Sequence, residues 1–155
     1  MELYPLKNKT KGIIMLIFVD CEAPFNKGSP SVADMTQFGA VAFPSMNEFY
    51  GKDCSLETLT AFKRWLPLDP EFISDNPAYD WQWINFYFWK YFAYNPFGHS
   101  ARRIGDFYAG LTNGFNNTQE WKEYRQTKHD HNPVHDARGN AEAFIHILSL
   151  IKKPE

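Results

Sequence analysis

The apolar positions along the chain change period several times, and each change predicts an element. Seven consecutive apolar residues, Ile13 to Val19, run directly into Asp20. An unbroken run of that length predicts a strand over "IIMLIFVD" (Ile13 to Asp20) that is buried on both faces. "TQFGAVAF" (Thr36 to Phe43) and "NEFYG" (Asn47 to Gly51) predict two further strands, joined by a turn at Pro44 and Ser45. "SLETLTAFKRWL" (Ser55 to Leu66) predicts a helix with Ser55 as N-cap, and Thr58 in place of an acid leaves the capping box incomplete. "EFIS" (Glu71 to Ser74) reads as a short strand. "YDWQWINFYFWKYF" (Tyr79 to Phe92) reads as a helix following Pro77. A weaker helix is expected over "TQEWKEYRQ" (Thr118 to Gln126). The clearest one is expected over Asp136 to Ile151, where Ala137, Ala141, Phe144, Leu148 and Ile151 keep helical spacing. Strands and helices in this order predict an α/β fold. The sequence contains no repeat and no low-complexity segment, so 1–155 reads as a single domain with its core at about 13–151 and tails at 1–12 and 152–155.

Composition narrows the class. Apolar residues make up 44% of the 155 residues and charged residues 22%, which describes a globular chain. A net charge of −2 gives no overall basic character, so an anionic substrate would need local positive charge or bound metal. Two cysteines, Cys21 and Cys54, form no disulfide framework, and a reducing cytoplasm fits best. Lys7, Lys9 and Lys11 before an apolar run imitate a secretory signal, but the run is short, ends in acids and lacks a small-residue cleavage site. Nothing in the sequence is long enough to span a membrane.

The chemistry begins at "VDCEAP" (Val19 to Pro24). Side chains alternate across a strand, so Asp20 and Glu22 project to one face and Cys21 to the other. Two carboxylates at the C-terminal end of a central strand lie where α/β folds place their sites. Uncompensated, they repel each other, and a hard divalent cation removes that conflict. The competing account is a solvated strand end carrying two ordinary acids. "SDNPAYDW" (Ser74 to Trp81) places Asp80 at a helix start, where the macrodipole alone would favour an acid. "HDHNPVHDARGNAEAF" (His129 to Phe144) places His131 five residues before Asp136, which is expected to open the last helix. Three histidines within seven residues are unusual in a chain of five.

With these three stretches in order, the chain resembles the DEDDh group of 3′→5′ exonucleases. Its Asp-x-Glu motif is matched by "DCE", its Asn-x-x-aromatic-Asp motif by "NPAYD" (Asn76 to Asp80), and its His-x4-Asp motif by "HNPVHD" (His131 to Asp136). The stretches "NPFGHSARRIGDFYAGL" and "HDHNPVHDARGNAEAF" are most similar to a bacterial subgroup classed as exonucleases. The resemblance implies a ribonuclease H-like fold, with a mixed central sheet flanked by helices. It implies a 3′→5′ exonuclease acting at the 3′ end of single-stranded RNA or DNA and releasing nucleoside 5′-monophosphates by a two-metal mechanism with Mg²⁺ or Mn²⁺. It makes Asp20, Glu22, Asp80 and Asp136 ligands of two ions, directly or through water. It makes His131 the general base, a task suited to an imidazole of ordinary pKa near 6.5. Ala23, Phe25, Asn76 and Tyr79 are the expected substrate-binding positions. Two departures stand out. The family's Thr after the first Glu is Ala23 here, so a side-chain contact is missing, and the connection at Lys52 to Ser55 is short, which leaves the groove's shape open.

The remaining features have two readings each. Ten aromatics between Tyr79 and Tyr94 suit core packing and are compatible with a homodimer contact; Phe25 and Tyr79 are also candidates for stacking on terminal bases. Arg102 and Arg103 are either a phosphate clamp or a solvated pair. Lys122, Arg125 and Lys128 are either a basic edge for the substrate backbone or ordinary surface charge. Cys21 reads as a small core residue rather than a nucleophile. Gly139, inside the last predicted helix, suggests a close approach of another segment. Two rival functions are a zinc hydrolase built on His129, His131 and His135, whose spacing matches no common zinc motif and leaves "DCE" unexplained, and a non-catalytic nucleic-acid-binding module on the same fold.

Overall fold

The computed structural model describes residues 15–151. The three lysines near the start, the two expected tails, and Ile13 and Ile14 of the first expected strand lie outside the described residues. Strand β1 (Met15–Glu22) is followed by β2 (Gln37–Phe43), β3 (Asn47–Gly51), helix α1 (Leu56–Trp65), β4 (Pro70–Ser74), α2 (Pro77–Phe92), β5 (Ala101–Arg103), α3 (Ile104–Leu111), a 3-10 turn (Glu120–Tyr124) and α4 (Pro133–Ser149). The five strands form one mixed sheet in the order β3-β2-β1-β4-β5. The β1–β2 and β2–β3 pairs are antiparallel, while β1–β4 and β4–β5 are parallel. A mixed sheet flanked by four helices is an α/β fold consistent with a ribonuclease H-like arrangement.

β1 is central because its residues can be buried on both sides. Leu16, Ile17, Phe18 and Val19 are all buried, and their alternation divides the core in two. Ile17, Val19 and Cys21 face a layer built from α1 and α2, with Leu59, Phe62, Trp83, Ile84, Tyr87 and Phe88. Leu16 and Phe18 face the opposite layer, with Ile104, Tyr108, Trp121, Ala141, Phe144 and Ile147 from α3, the 3-10 turn and α4. The same alternation carries Asp20 and Glu22 to the α4 side. The aromatic-rich α2 is mainly a core helix: Trp83, Tyr87 and Phe88 are fully buried, and the Tyr87 hydroxyl donates to Asp34 Oδ1 at 2.8 Å while accepting from Met35 N–H at 3.0 Å. Ser55 caps α1 as expected by accepting from the Thr58 N–H, and the Thr58 hydroxyl in turn donates to Asp53 Oδ1.

Several boundaries differ from those the sequence predicts. β1 continues through Glu22, because pairing with Phe38 and Gln37 of β2 extends the ladder beyond the apolar run. α2 opens at Pro77, the position where a missing N–H costs nothing. The expected helix over Thr118 to Gln126 is only a short 3-10 turn, anchored by the buried Trp121, whose indole N–H donates to the Thr118 carbonyl. α4 opens at Pro133 rather than Asp136, since the Asn132 side chain caps it by accepting from the N–H groups of Val134 and His135. Asp136 therefore lies inside the first turn, and His135 belongs to the helix. β5 and α3 are not foreshadowed by the apolar pattern at all. Among the described residues, no helix is long and apolar enough to cross a membrane.

Candidate active site

Three segments distant in sequence meet at the C-terminal end of β1. The first supplies Asp20 and Glu22. The second is the start of α2, where Asp80 is buried and its Oδ1 accepts from the Cys21 N–H at 2.9 Å. The third is the start of α4, where Asp136 is buried and its Oδ1 accepts from the Asp130 N–H at 3.2 Å. Asp20, Glu22 and Asp136 each present an oxygen within 4.8 Å of the other two. Asp80 lies outside that triangle of oxygens but close enough to act on Asp20 electrostatically.

The approach of α4 depends on Gly39. Gly39 pairs with Asp20 across the β1–β2 ladder, and a Cβ there would fall 2.3 Å from backbone atoms of Pro133 and Val134. Only a residue without a side chain allows the first turn of α4 to lie against the sheet at the level of Asp20. Gly139 answers to a second close approach: its Cβ would meet the Thr127 carbonyl oxygen at 2.9 Å and the Arg125 side chain at 3.4 Å.

The loop before α4 is braced from within. Asp130 accepts from the Asn132 N–H at 3.0 Å and lies 2.8 Å from His135 Nδ1, and the His135 contact leads the effects that hold Asp130 below the usual carboxylate range. His131 has a left-handed backbone, φ 62°, which costs energy for a non-glycine residue and turns its ring to His129, 4.5 Å away between centroids. His129 Nδ1 is 2.9 Å from Asp136 Oδ2. The three-histidine cluster suggested by the sequence is not assembled: His129 and His131 gather around Asp136, whereas His135 turns to Asp130.

The electrostatics are those of acids lacking sufficient compensation. Burial, then the negative charges of Asp80, Asp136 and Glu22, push Asp20 well above the usual carboxylate range, against the opposing pull of Arg125. Burial also raises Glu22, with the nearby histidines His131 and His129 acting the other way. Asp80 is pushed up to about 7, again chiefly by burial. Among the described residues, Asp20 Oδ2 and Asp136 Oδ2 are buried oxygens without a hydrogen-bond donor; the His129 contact to the latter lacks hydrogen-bond direction. Orphaned buried carboxylate oxygens within a cluster of three acids are the donor set a hard divalent cation takes, so the residues present fit such an ion.

The expected substrate-binding positions are partly gathered. Ala23, Phe25 and Tyr79 line one open groove of about 460 Å³ next to Glu22, together with Pro24, Asn26, Lys27 and Gly28. Phe25 is 90% exposed, and Tyr79 packs edge-on against Trp83. Asn76 is exposed at the N-cap of α2 and uses its backbone carbonyl, not its side chain, to start the helix. Of the basic candidates, Arg102 pairs with Glu71 at 2.5 Å and Arg103 with Asp106 at 2.9 Å, which is the solvated-pair reading. Lys122 pairs with Asp75 at 2.7 Å. Arg125 is nearly buried, donates to Asn140 Oδ1 from Nε at 3.0 Å, lies 3.8 Å from Asp75 and covers the Trp121 ring at 5.0 Å. It is a cation placed inside the protein beside the acids, which a count of basic residues along the chain does not reveal. Cys21 and Cys54 are free, and burial pushes the Cys21 thiol up, so it is poorly suited to nucleophilic work.

Fold and site together define an α/β protein with an acidic cluster at the end of its central strand, able to take a divalent cation. No family model matches the chain. Among curated proteins, it is similar to the 3'-5' DNA exonuclease Cap18 of Escherichia coli, with 31% identity over 114 residues that cover 63% of this chain. The chain spans 58% of the length of that relative.

Proposed function

We propose that the protein is a divalent-metal-dependent 3′→5′ exonuclease that removes nucleoside 5′-monophosphates from single-stranded ends, with 1–155 acting as one exonuclease domain. The observation that carries this reading is the meeting of Asp20, Glu22 and Asp136, with two buried carboxylate oxygens left without donors. The similarity to a named 3'-5' DNA exonuclease supports it and favours DNA over RNA.

In this reading Asp20, Glu22, Asp80 and Asp136 hold Mg²⁺ or Mn²⁺, Asp80 through water or its free oxygen. Such ions, when bound, stabilise charge on the phosphoryl oxygens and lower the pKa of water. The chain's own part is positional. β1 and the first turn of α4 hold the acids rigidly, which is where orientation contributes most to rate. His131, on its left-handed backbone beside Glu22, accepts the proton of the attacking water. Phe25 and Tyr79 receive the terminal bases in the groove beside Glu22, which Ala23 also lines, and Asn76 meets the substrate from the N-cap of α2. With both thiols free, the enzyme suits the reducing cytoplasm.

The test uses matched 5′-labelled single-stranded DNA and RNA, a 3′-phosphorylated copy and a circular single strand, each with Mg²⁺ and with EDTA. Stepwise shortening of the labelled strands by one nucleotide at a time from free 3′ ends, with unlabelled nucleoside 5′-monophosphates released, is expected to be abolished by EDTA and slowed by the 3′ phosphate. Cutting of the circle, or no hydrolysis of any linear strand with Mg²⁺ or Mn²⁺, overturns the reading.

A further inference from the structure

We propose that the site carries a second, softer metal position, formed by His129, His131 and Asp136, which binds Zn²⁺ and thereby inhibits the enzyme. This rests on the functional reading above for its consequence, but not for the binding itself.

Two observations point to it independently. One is the donor set. A ring nitrogen from each of His129 and His131 and one Asp136 oxygen all lie within 4.8 Å of one another. Two imidazoles with one carboxylate suit Zn²⁺, whereas Mg²⁺ is taken by oxygens. Tetrahedral zinc with bonds of about 2.0–2.1 Å sets its ligands roughly 3.3 Å apart, and His129 Nδ1 is already 2.9 Å from Asp136 Oδ2. The other is Asp136 itself. Its side chain is 1% exposed, and the Oδ2 atom aimed at the histidines has no hydrogen-bond donor. A buried oxygen left in that state beside two exposed imidazoles is a ligand in search of a cation.

The position overlaps the proposed catalytic one in two atoms' worth of chemistry. Asp136 belongs both to this set and to the Asp20, Glu22, Asp136 set. His131 is the proposed base, and a ring nitrogen committed to zinc cannot take a proton. Zn²⁺ therefore competes with the hard ion for Asp136 and removes the base in the same act. Asp130 is placed to support this arrangement: it occupies His135 at 2.8 Å and so keeps the third histidine out of the cluster. The result is a three-ligand set that leaves zinc's fourth position open, unlike the closed four-ligand set of a structural site, so zinc here acts on the reaction rather than as part of the fold.

The test begins with binding, measured on the full chain by titration of Zn²⁺ against a chromophoric zinc indicator without Mg²⁺, and with the ligand atoms read by zinc X-ray absorption. One equivalent with two imidazole ligands is expected. Loss of even an outer-shell partner typically costs a site about 10–100-fold in affinity, so His129→Gln should weaken Zn²⁺ binding at least about tenfold. Asp20→Asn, which touches only the hard set, should leave it within a few-fold. In the hydrolysis assay His129→Gln should need correspondingly more Zn²⁺ than the wild type for half inhibition, each measured relative to its own Mg²⁺-supported rate. Wild-type Zn²⁺ affinity in His129→Gln, or loss of zinc binding in Asp20→Asn, would place zinc in the hard set and overturn the proposal. A protein that binds zinc as described yet hydrolyses no nucleic acid would refute the exonuclease reading and leave the metal site standing.

Discussion

Replacing Gly39 by alanine tests whether the site is assembled by the close contact of α4 with the sheet. The added Cβ would sit 2.3 Å from the Pro133 carbonyl and the Val134 nitrogen, where ordinary contact begins at 3.4 Å. The difference, about 1.1 Å, has to be taken up by backbone, because no flexible side chain is among the three nearest atoms. Overpacking of this kind typically costs about 1–3 kcal/mol. At roughly 2–4 °C per kcal/mol for a domain of this size, the melting temperature should fall by about 2–12 °C. The functional loss should be larger than the stability loss suggests. Movement of the first turn of α4 carries Asp136 away from Asp20 and Glu22, and a misplacement of about 1 Å can cost roughly 10²-fold in rate.

The assay pairs thermal unfolding, with and without Mg²⁺, with single-strand hydrolysis at a temperature where both proteins are folded. Gly110→Ala is the control. Among the described residues nothing lies within 4 Å of its new Cβ in α3, and glycine-to-alanine at a compatible helical site stabilises by about 0.4–1 kcal/mol. Gly39→Ala should lose most of its metal-induced stabilisation and most turnover, while Gly110→Ala keeps both. If Gly39→Ala melts like the wild type and retains its response to Mg²⁺, the argument that this glycine sets the helix position is wrong.

Three other outcomes follow from the same geometry. Without metal, Asp20, Glu22 and Asp80 hold their protons more tightly folded than unfolded, so stability should fall as pH rises from about 4 towards the raised values, about 7 for Asp80, and level off above; chemical denaturation across that range checks it, and a rising profile contradicts the sign. Mg²⁺ or Mn²⁺ at 100 times Kd should stabilise the wild type by about 2.7 kcal/mol, or roughly 5–10 °C, and Asp20→Asn should remove most of that shift while raising the metal-free melting temperature; an unchanged shift puts the cation elsewhere. His131→Ala should lower turnover by about 10²–10⁴-fold with Mg²⁺ binding intact, whereas His135→Ala, which loses only the Asp130 brace, should stay within a few-fold; steady-state rates that reverse this order would refute the choice of base.

The sequence was most legible where local pattern and tertiary environment agree. The run up to Val19 announces a strand buried on both faces because burial on both faces is what removes alternation, and β3 and α1 are bounded by residues that satisfy the backbone locally. β5 was invisible for the opposite reason. Ala101, Arg102 and Arg103 have no apolar alternation, and they form a strand because β4 offers them a parallel edge. α3 is short and carries Gly105 and Gly110, poor helix formers; Gly105 is there because a Cβ would strike the Thr118 carbonyl at 2.3 Å. The start of α4 was written in "NP", an N-cap followed by proline, but Asp136 is an equally good first-turn residue and masked it. For the candidate site, order and spacing brought out Asp20, Glu22, Asp80, His131 and Asp136 as a set. They could not show that Lys122 and Arg125 are committed to Asp75 and Asn140, since those partners are distant in sequence.

How the acids are tolerated at all also determines which of them matters most to a cation. Asp80 and Asp136 lie in the first turns of α2 and α4, where the helix dipole favours a negative charge by about 0.3–1 kcal/mol, more when partly buried. Each also accepts a backbone N–H, from Cys21 and from Asp130. Asp20 has no helix behind it. It sits at the end of a strand, its Oδ2 has no donor, and the cation acting on it, Arg125, is shared with Asn140 and Asp75. Fixed compensation therefore covers the two helix acids in part and leaves Asp20 with the largest unmet demand for positive charge. A metal ion bound here gains most from Asp20, and that is the physical reason to expect neutralising Asp20, rather than Asp80, to uncouple metal binding from stability.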